Sequence, residues 1–211
     1  MNELKLILLA VLLPLTASAM RLELGAGYSR GIELGNGFWR QQGNPYTQKI
    51  NSPTWYIGVT GHPYKYLAWH ADYVNLGTYG ESSWDTTDQA YGNGCLGPNC
   101  GWWGKFVGSG RAQGIRVTVG PTFGADHWHV SLQTGPFLYL STWSDTIYPS
   151  TGGQSTITHT NRIQVGDVMD ASVRYRAFSL TVSRYIMRAP QDRYPPLIYG
   201  ATTLTLGYRF S

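Results

Sequence analysis

An all-β fold, an antiparallel up-and-down barrel of about eight strands, is predicted by three observations on the sequence. Side chains alternate apolar and polar with period two over segment after segment. The links between those segments alternate short and long. The composition is poor in charge, with 13% Asp, Glu, Lys and Arg, about half the usual share, yet it holds 15 Tyr, 8 Trp and 26 Gly. Tyr, Trp and Thr favour a pleated surface, and alternation places successive side chains on opposite faces of a strand.

The chain of 211 residues is one domain in length. Its first residues, Met1 to Lys5, carry charge; an apolar run follows from Leu6 to Leu15, and Thr16-Ala17-Ser18-Ala19 closes it. This order reads as a cleaved secretory signal over 1–19, leaving 20–211 as the barrel. The apolar run is too short for a comfortable membrane-spanning helix, which needs about 20 residues. No later segment supplies one either.

Alternation is cleanest at the C-terminus. Ile198, Gly200, Thr202, Leu204, Leu206, Tyr208 and Phe210 share one face; Tyr199, Ala201, Thr203, Thr205, Gly207 and Arg209 share the other. The first strand repeats it, with Leu22, Leu24, Ala26 and Tyr28 opposite Arg21, Glu23, Gly25, Gly27 and Ser29, continuing to Ile32 and Leu34 opposite Glu33. Six more segments behave alike: 54–61, 66–77, 114–123, 128–142, 169–175 and 178–187. In 66–77, Leu67, Trp69, Ala71 and Tyr73 oppose Ala68, His70 and Asp72. Pro136 interrupts the fifth segment and predicts a bulge, because it removes a ladder donor. Arg184 falls on the apolar face of the seventh, where a long basic side chain can snorkel to lipid phosphates.

The links sort by length. Those around 62–65, 124–127 and 176–177 are short, whereas 35–53, 79–111, 143–162 and 188–196 are long or irregular. Short turns at one end, long loops at the other and an even strand count are the pattern of a transmembrane β-barrel. That topology places the short turns and both termini on the periplasmic side and the long loops outside.

The closing Tyr208-Arg209-Phe210, followed by Ser211, resembles the aromatic-ending C-terminal strand of the small outer-membrane barrel superfamily. That superfamily includes the OmpA membrane domain, the OmpX/Ail type and the lipid A-modifying barrels. The resemblance spans the mature chain and is mainly architectural. It implies a Gram-negative-type outer membrane, with outer-membrane lipid, lipopolysaccharide and the barrel assembly machinery as partners, and no cofactor.

The competing fold is a soluble exported barrel of the lipocalin or avidin-like kind, which buries the apolar face and wets the polar one. Alternation alone does not separate the two. The sorted links and the aromatic ending favour the membrane form, in which Arg21, Glu23, Glu33, His70, Asp72, Arg116, Arg174, Arg176 and Arg209 face inward as a packed polar plug.

Candidate chemistry is sparse. His129 and Ser131, two apart on a strand, share a face, so the imidazole can act as base toward the hydroxyl. An H-x-S pair also occurs in the lipid A deacylase barrels, which makes a deacylase-like hydrolase the enzymatic alternative. His127 and His129 beside a turn make no metal site without further ligands. In the long second loop, Cys95 and Cys100 are placed to form a disulfide after export. Trp84, Trp102 and Trp103 are candidates for an extracellular ligand or an aromatic girdle. Arg111, Arg162 and Arg188, with Arg40, Lys49, Lys105 and Arg193, are candidates for lipopolysaccharide phosphates. Scattered basic residues in an exported chain argue against nucleic acid. The leading expectation is an integral outer-membrane barrel, non-enzymatic, displaying loops for surface interaction or envelope integrity.

Overall fold

The computed structural model describes residues 20–32, 46–86, 103–125, 127–150, 152–160, 163–187 and 198–210. Ten strands account for nearly all of them: β1 (Arg21–Gly31), β2 (Tyr46–Lys49), β3 (Asn51–Tyr64), β4 (Leu67–Thr86), β5 (Trp103–Ala125), β6 (Trp128–Pro149), β7 (Ser155–Thr160), β8 (Gln164–Tyr175), β9 (Phe178–Ile186) and β10 (Gly200–Arg209). No helix among the described residues is long and apolar enough to cross a membrane.

Eight of these strands close a ring, β1-β3-β4-β5-β6-β8-β9-β10, with β10 returning to β1. Every pairing is antiparallel. Strands β2 and β7 extend β3 and β8 past short breaks and pair with the far ends of β4 and β6. The ring is sheared. Paired residues run from Arg30 through Thr202, Arg184, Met169, Thr134, Val119 and Trp69 to Gly61. Since Thr60 pairs with Arg21, Gly61 stands level with residue 20, ten residues from the start. A stagger of this kind goes with strands tilted by roughly 40°, and eight strands leave an interior that side chains fill.

Two-residue turns at Lys65-Tyr66 and Arg176-Ala177 close one end, which also holds the start of β1 and the finish of β10. Arg176 adopts φ 55° there, a left-handed conformation uncommon outside glycine. The opposite end carries the long links, but less of them is loop than the sequence suggested. β4 runs on to Thr86, β5 begins at Trp103 and β6 continues to Pro149. Serine, threonine, glycine and charged residues interrupt the apolar pattern in those extensions, so the alternation fades there while the ladder continues.

A bulge explains why the apolar alternation ends at Gly77. Register in β4–β5 shifts between Asn75 and Thr78. Gly77 sits at φ 91°, and the Asn75 side chain accepts its N–H at 2.8 Å. The inserted residue reverses parity. Ala68, His70, Asp72, Val74 and Leu76 point inward below the bulge; Tyr79, Glu81 and Ser83 do so above it.

The bulge predicted at Pro136 is absent. The β5–β6 ladder skips the residues around it but resumes in the same register, and Pro136 still pairs with Asp167 of β8. One missing donor is tolerated because the neighbouring strand holds the segment.

Candidate functional site: a charged lumen inside an apolar wall

The outward residues along β1, β6, β9 and β10 are Leu22, Leu24, Leu132, Leu138, Leu180, Val182, Leu204 and Leu206, all exposed. Leu132 and Leu206 are each 60% exposed, whereas Glu23 is 1% and Asp72 and Arg116 are 2% exposed. This facing is the inverse of a soluble barrel and does not favour that alternative, since exposed leucines in water have no compensating burial. Trp69 departs from the pattern: it lies on the outward parity of β4 yet is buried. Arg184 is outward as expected and donates to Thr202 Oγ1 at 2.9 Å.

Two charged knots fill the lumen. At mid-height, Arg116 of β5 reaches Asp72 of β4 with Nε at 2.9 Å. Its Nη1 lies 3.1 Å from Asp170 of β8 and within hydrogen-bond reach of Ser183 and Tyr185. The Tyr56 ring stacks beside the guanidinium, 5.3 Å from its carbon. Nearer the short turns, Arg174 donates to Glu23 Oε2 at 3.2 Å, and Tyr56 and Ser179 both donate to Oε1 at 2.8 Å. Charges this deep persist only when paired and hydrogen-bonded in this way.

Toward the long links the lumen holds an apolar cluster, which the expected polar plug did not include, with buried Glu81 and Ser83 farther along β4. Leu76, Ala112, Phe137, Tyr139, Val168, Met187, Ile198 and Ala201 form one buried cluster with Val74, Tyr79, Tyr56 and Tyr185. Phe137 stacks on Tyr139 and meets Tyr185 edge-on.

The predicted interior residues divide. Glu23, His70, Asp72, Arg116 and Arg174 are buried together. Arg176 is exposed at its turn, Arg21 is exposed and Arg209 is half-buried, because each lies at the rim, where water hydrates the charge. Glu33 lies outside the described residues. Asp170, Tyr56 and Tyr185 were not singled out in the sequence, although their inward parity on β8, β3 and β9 was a usable signal.

The hydroxyl of Ser131 meets that of Ser172 at 2.6 Å, and the His129 ring lies 6.3 Å from that of His62. Both residues point into the lumen at the short-turn end, away from the apolar wall where an acyl chain would lie. Arg111 is exposed on β5, and Trp84 stands on β4 rather than in a loop. Trp103 begins β5. Residues 1–19, Cys95, Cys100, Trp102, Arg162 and Arg188 lie outside the described residues.

A closed ring of eight antiparallel strands with charges packed inside and leucines, valines and aromatics outside is a β-barrel of the transmembrane class. No protein-family model and no curated protein matches the sequence. Among solved structures, the chain is similar to Ail, the attachment invasion locus protein of Yersinia pestis. Ail bound to the heparin analogue sucrose octasulfate is 12% identical, with 92% of this chain and 100% of that one covered and a TM-score of 0.41. A further crystal structure of Ail is also 12% identical, covering 90% and 97% with a TM-score of 0.43. The outer membrane protein Ail in a phospholipid bilayer nanodisc is 14% identical, covering 91% and 100% with a TM-score of 0.34.

Proposed function

We propose that the protein is an integral outer-membrane barrel that presents its long links at the cell surface, for surface interaction or envelope integrity. The observation that carries this is the inverted facing: an apolar wall around a charged, paired lumen. Water gives such a wall no partner, whereas bilayer hydrocarbon does. Aromatic residues supply the girdle at the short-turn end, where Trp128 packs on Tyr175 and Phe178 and Phe210 both meet Tyr208.

In this reading the short turns and both termini face the periplasm. Tyr208-Arg209-Phe210 is what the barrel assembly machinery engages during insertion. Arg111, exposed on β5, meets lipopolysaccharide phosphates, with Arg162 and Arg188 as further candidates. Trp84, Trp102 and Trp103 serve an extracellular ligand, and a Cys95–Cys100 disulfide constrains the link between β4 and β5, whose sequence includes Trp102.

The test is membrane fractionation combined with heat-modifiable gel mobility, with an epitope inserted at Asn36 or Asn93 and probed on intact cells. The reading expects outer-membrane recovery, a mobility shift on boiling and surface labelling of both epitopes. Recovery as a soluble monomer, or labelling only after permeabilisation, would overturn it.

A further inference from the structure

We infer that the short-turn mouth of the lumen is a binding site for a compact phosphate-class oxyanion. The last inward-facing residue of each ring strand at this end forms one layer: Arg21 of β1, His62 of β3, Ala68 of β4, Gly124 of β5, His129 of β6, Arg174 of β8, Ser179 of β9 and Arg209 of β10. Three arginines and two histidines stand in it, and among the described residues the layer contains no carboxylate. Arg174 Nη1 reaches His62 Nε2 and the His129 ring lies 6.3 Å from that of His62, so these groups converge on one space.

The one carboxylate beneath the layer, Glu23, is already engaged by Arg174, Tyr56 and Ser179. It neutralises about one of the arginines and leaves the rest of the layer cationic. Arg174 adds a second, independent observation. It is 5% exposed; its Nη1 meets His62 Nε2 at 3.2 Å and its Nη2 lies 3.5 Å from His70 Nε2, yet its Nε–H has no protein partner. A buried guanidinium N–H without an acceptor is costly, and a tetrahedral oxyanion with several acceptor oxygens satisfies it. Arg21 and Arg209, exposed and half-buried, supply charge-assisted donors from the open side. The proposal does not depend on the cell-surface role of the long links.

The same chemistry is offered by free phosphate or by a lipid headgroup at the barrel's rim. The folded full chain in zwitterionic detergent, titrated with inorganic phosphate against sodium chloride at constant ionic strength, reads the site by calorimetry. Saturable one-to-one binding is expected. R21Q/R209Q should weaken it about tenfold or more, R209K should retain most of it, and Lys65→Gln, on the turn outside the layer, should leave it unchanged. Heat-modifiable mobility establishes that each variant is folded. Absence of saturable binding, equal affinity in R21Q/R209Q, or an equal loss in Lys65→Gln would each overturn the site. Nanodiscs of phosphatidylcholine with and without phosphatidylglycerol then identify the source: competition by the anionic lipid assigns the site to a headgroup, and unchanged phosphate affinity assigns it to the free ion.

Discussion

Arg116 and Asp170 meet at 3.1 Å across the lumen although their strands, β5 and β8, are separated in the ring by β6. With Asp72 on the other side, the guanidinium ties β4, β5 and β8 into one charged knot. Arg116→Met would leave two carboxylates buried beside each other without a cation, and the expected loss is about 3–5 kcal/mol. Adding Asp72→Asn and Asp170→Asn removes the stranded charges and should restore most of it. Urea unfolding of the vesicle-inserted barrel, followed by tryptophan fluorescence, measures both. A triple variant no more stable than Arg116→Met would show that charge pairing is not what holds the knot.

The wall makes the opposite prediction from a soluble barrel. Leu206 and Leu132 face outward on β10 and β6. Replacing either with arginine should cost about 2–4 kcal/mol if it lies near the bilayer midplane. Exchanging exposed Thr156 of β7, beyond the ring, for arginine should change stability little. On a water-facing surface all three would be nearly neutral, so equal and small effects would count against the membrane reading.

The ring was legible in the sequence because parity is local: Leu204, Leu206 and Tyr208 against Thr203, Thr205 and Gly207 already set the facing of β10. The inward set on β1, β4 and β8 followed by the same rule. What alternation does not encode is register: it gives Asp170 an inward parity, but only the order β5-β6-β8 brings it to Arg116. Nor does it encode the vertical division of the interior. Val74 and Leu76 carry inward parity like Asp72, but only the shear places them beside Phe137 and Met187 as an apolar layer. Strand ends failed where composition turned to Ser and Gly, and facing failed beyond one inserted residue. Of the candidate sites, Arg174 and His129 were visible by parity; their convergence with Arg21 and Arg209 at one mouth needed the closed ring.

The Ser131–Ser172 pair separates a structural hydroxyl from a nucleophile. Each hydroxyl is the other's partner in a buried layer. Ser131→Ala or Ser172→Ala alone strands one hydroxyl, at about 1–3 kcal/mol, whereas the double variant removes both and should cost less than the sum of the singles. Mass spectrometry of lipid A from cells expressing the wild type or Ser131→Ala should give the same acyl pattern. An acyl chain lost with the wild type and kept with the variant would establish the deacylase instead.

Gly77 is the extra residue that β4 absorbs as a bulge. Its φ of 91° suits glycine, and a Cβ there would fall 2.2 Å from Ser52 Oγ and 2.3 Å from the Pro53 carbonyl oxygen. Ser52 Oγ in turn accepts the N–H of Thr78 at 2.8 Å, so a clash at Ser52 also disturbs the bulge's exit. Gly77→Ala should therefore destabilise the barrel by more than about 1 kcal/mol. Deleting Gly77 removes the extra residue, and plain alternation from Leu76 then keeps Thr78 and Gly80 outward and Tyr79 and Glu81 inward. Tyr79 would then stay on the lumen side with Ser29. Cysteine scanning at positions 78 and 79, with a membrane-impermeant thiol reagent on the folded barrel, should label 78 and spare 79 in the intact sequence. Deletion of Gly77 should preserve that order, and a reversed order would mean that the bulge does more than absorb one extra residue.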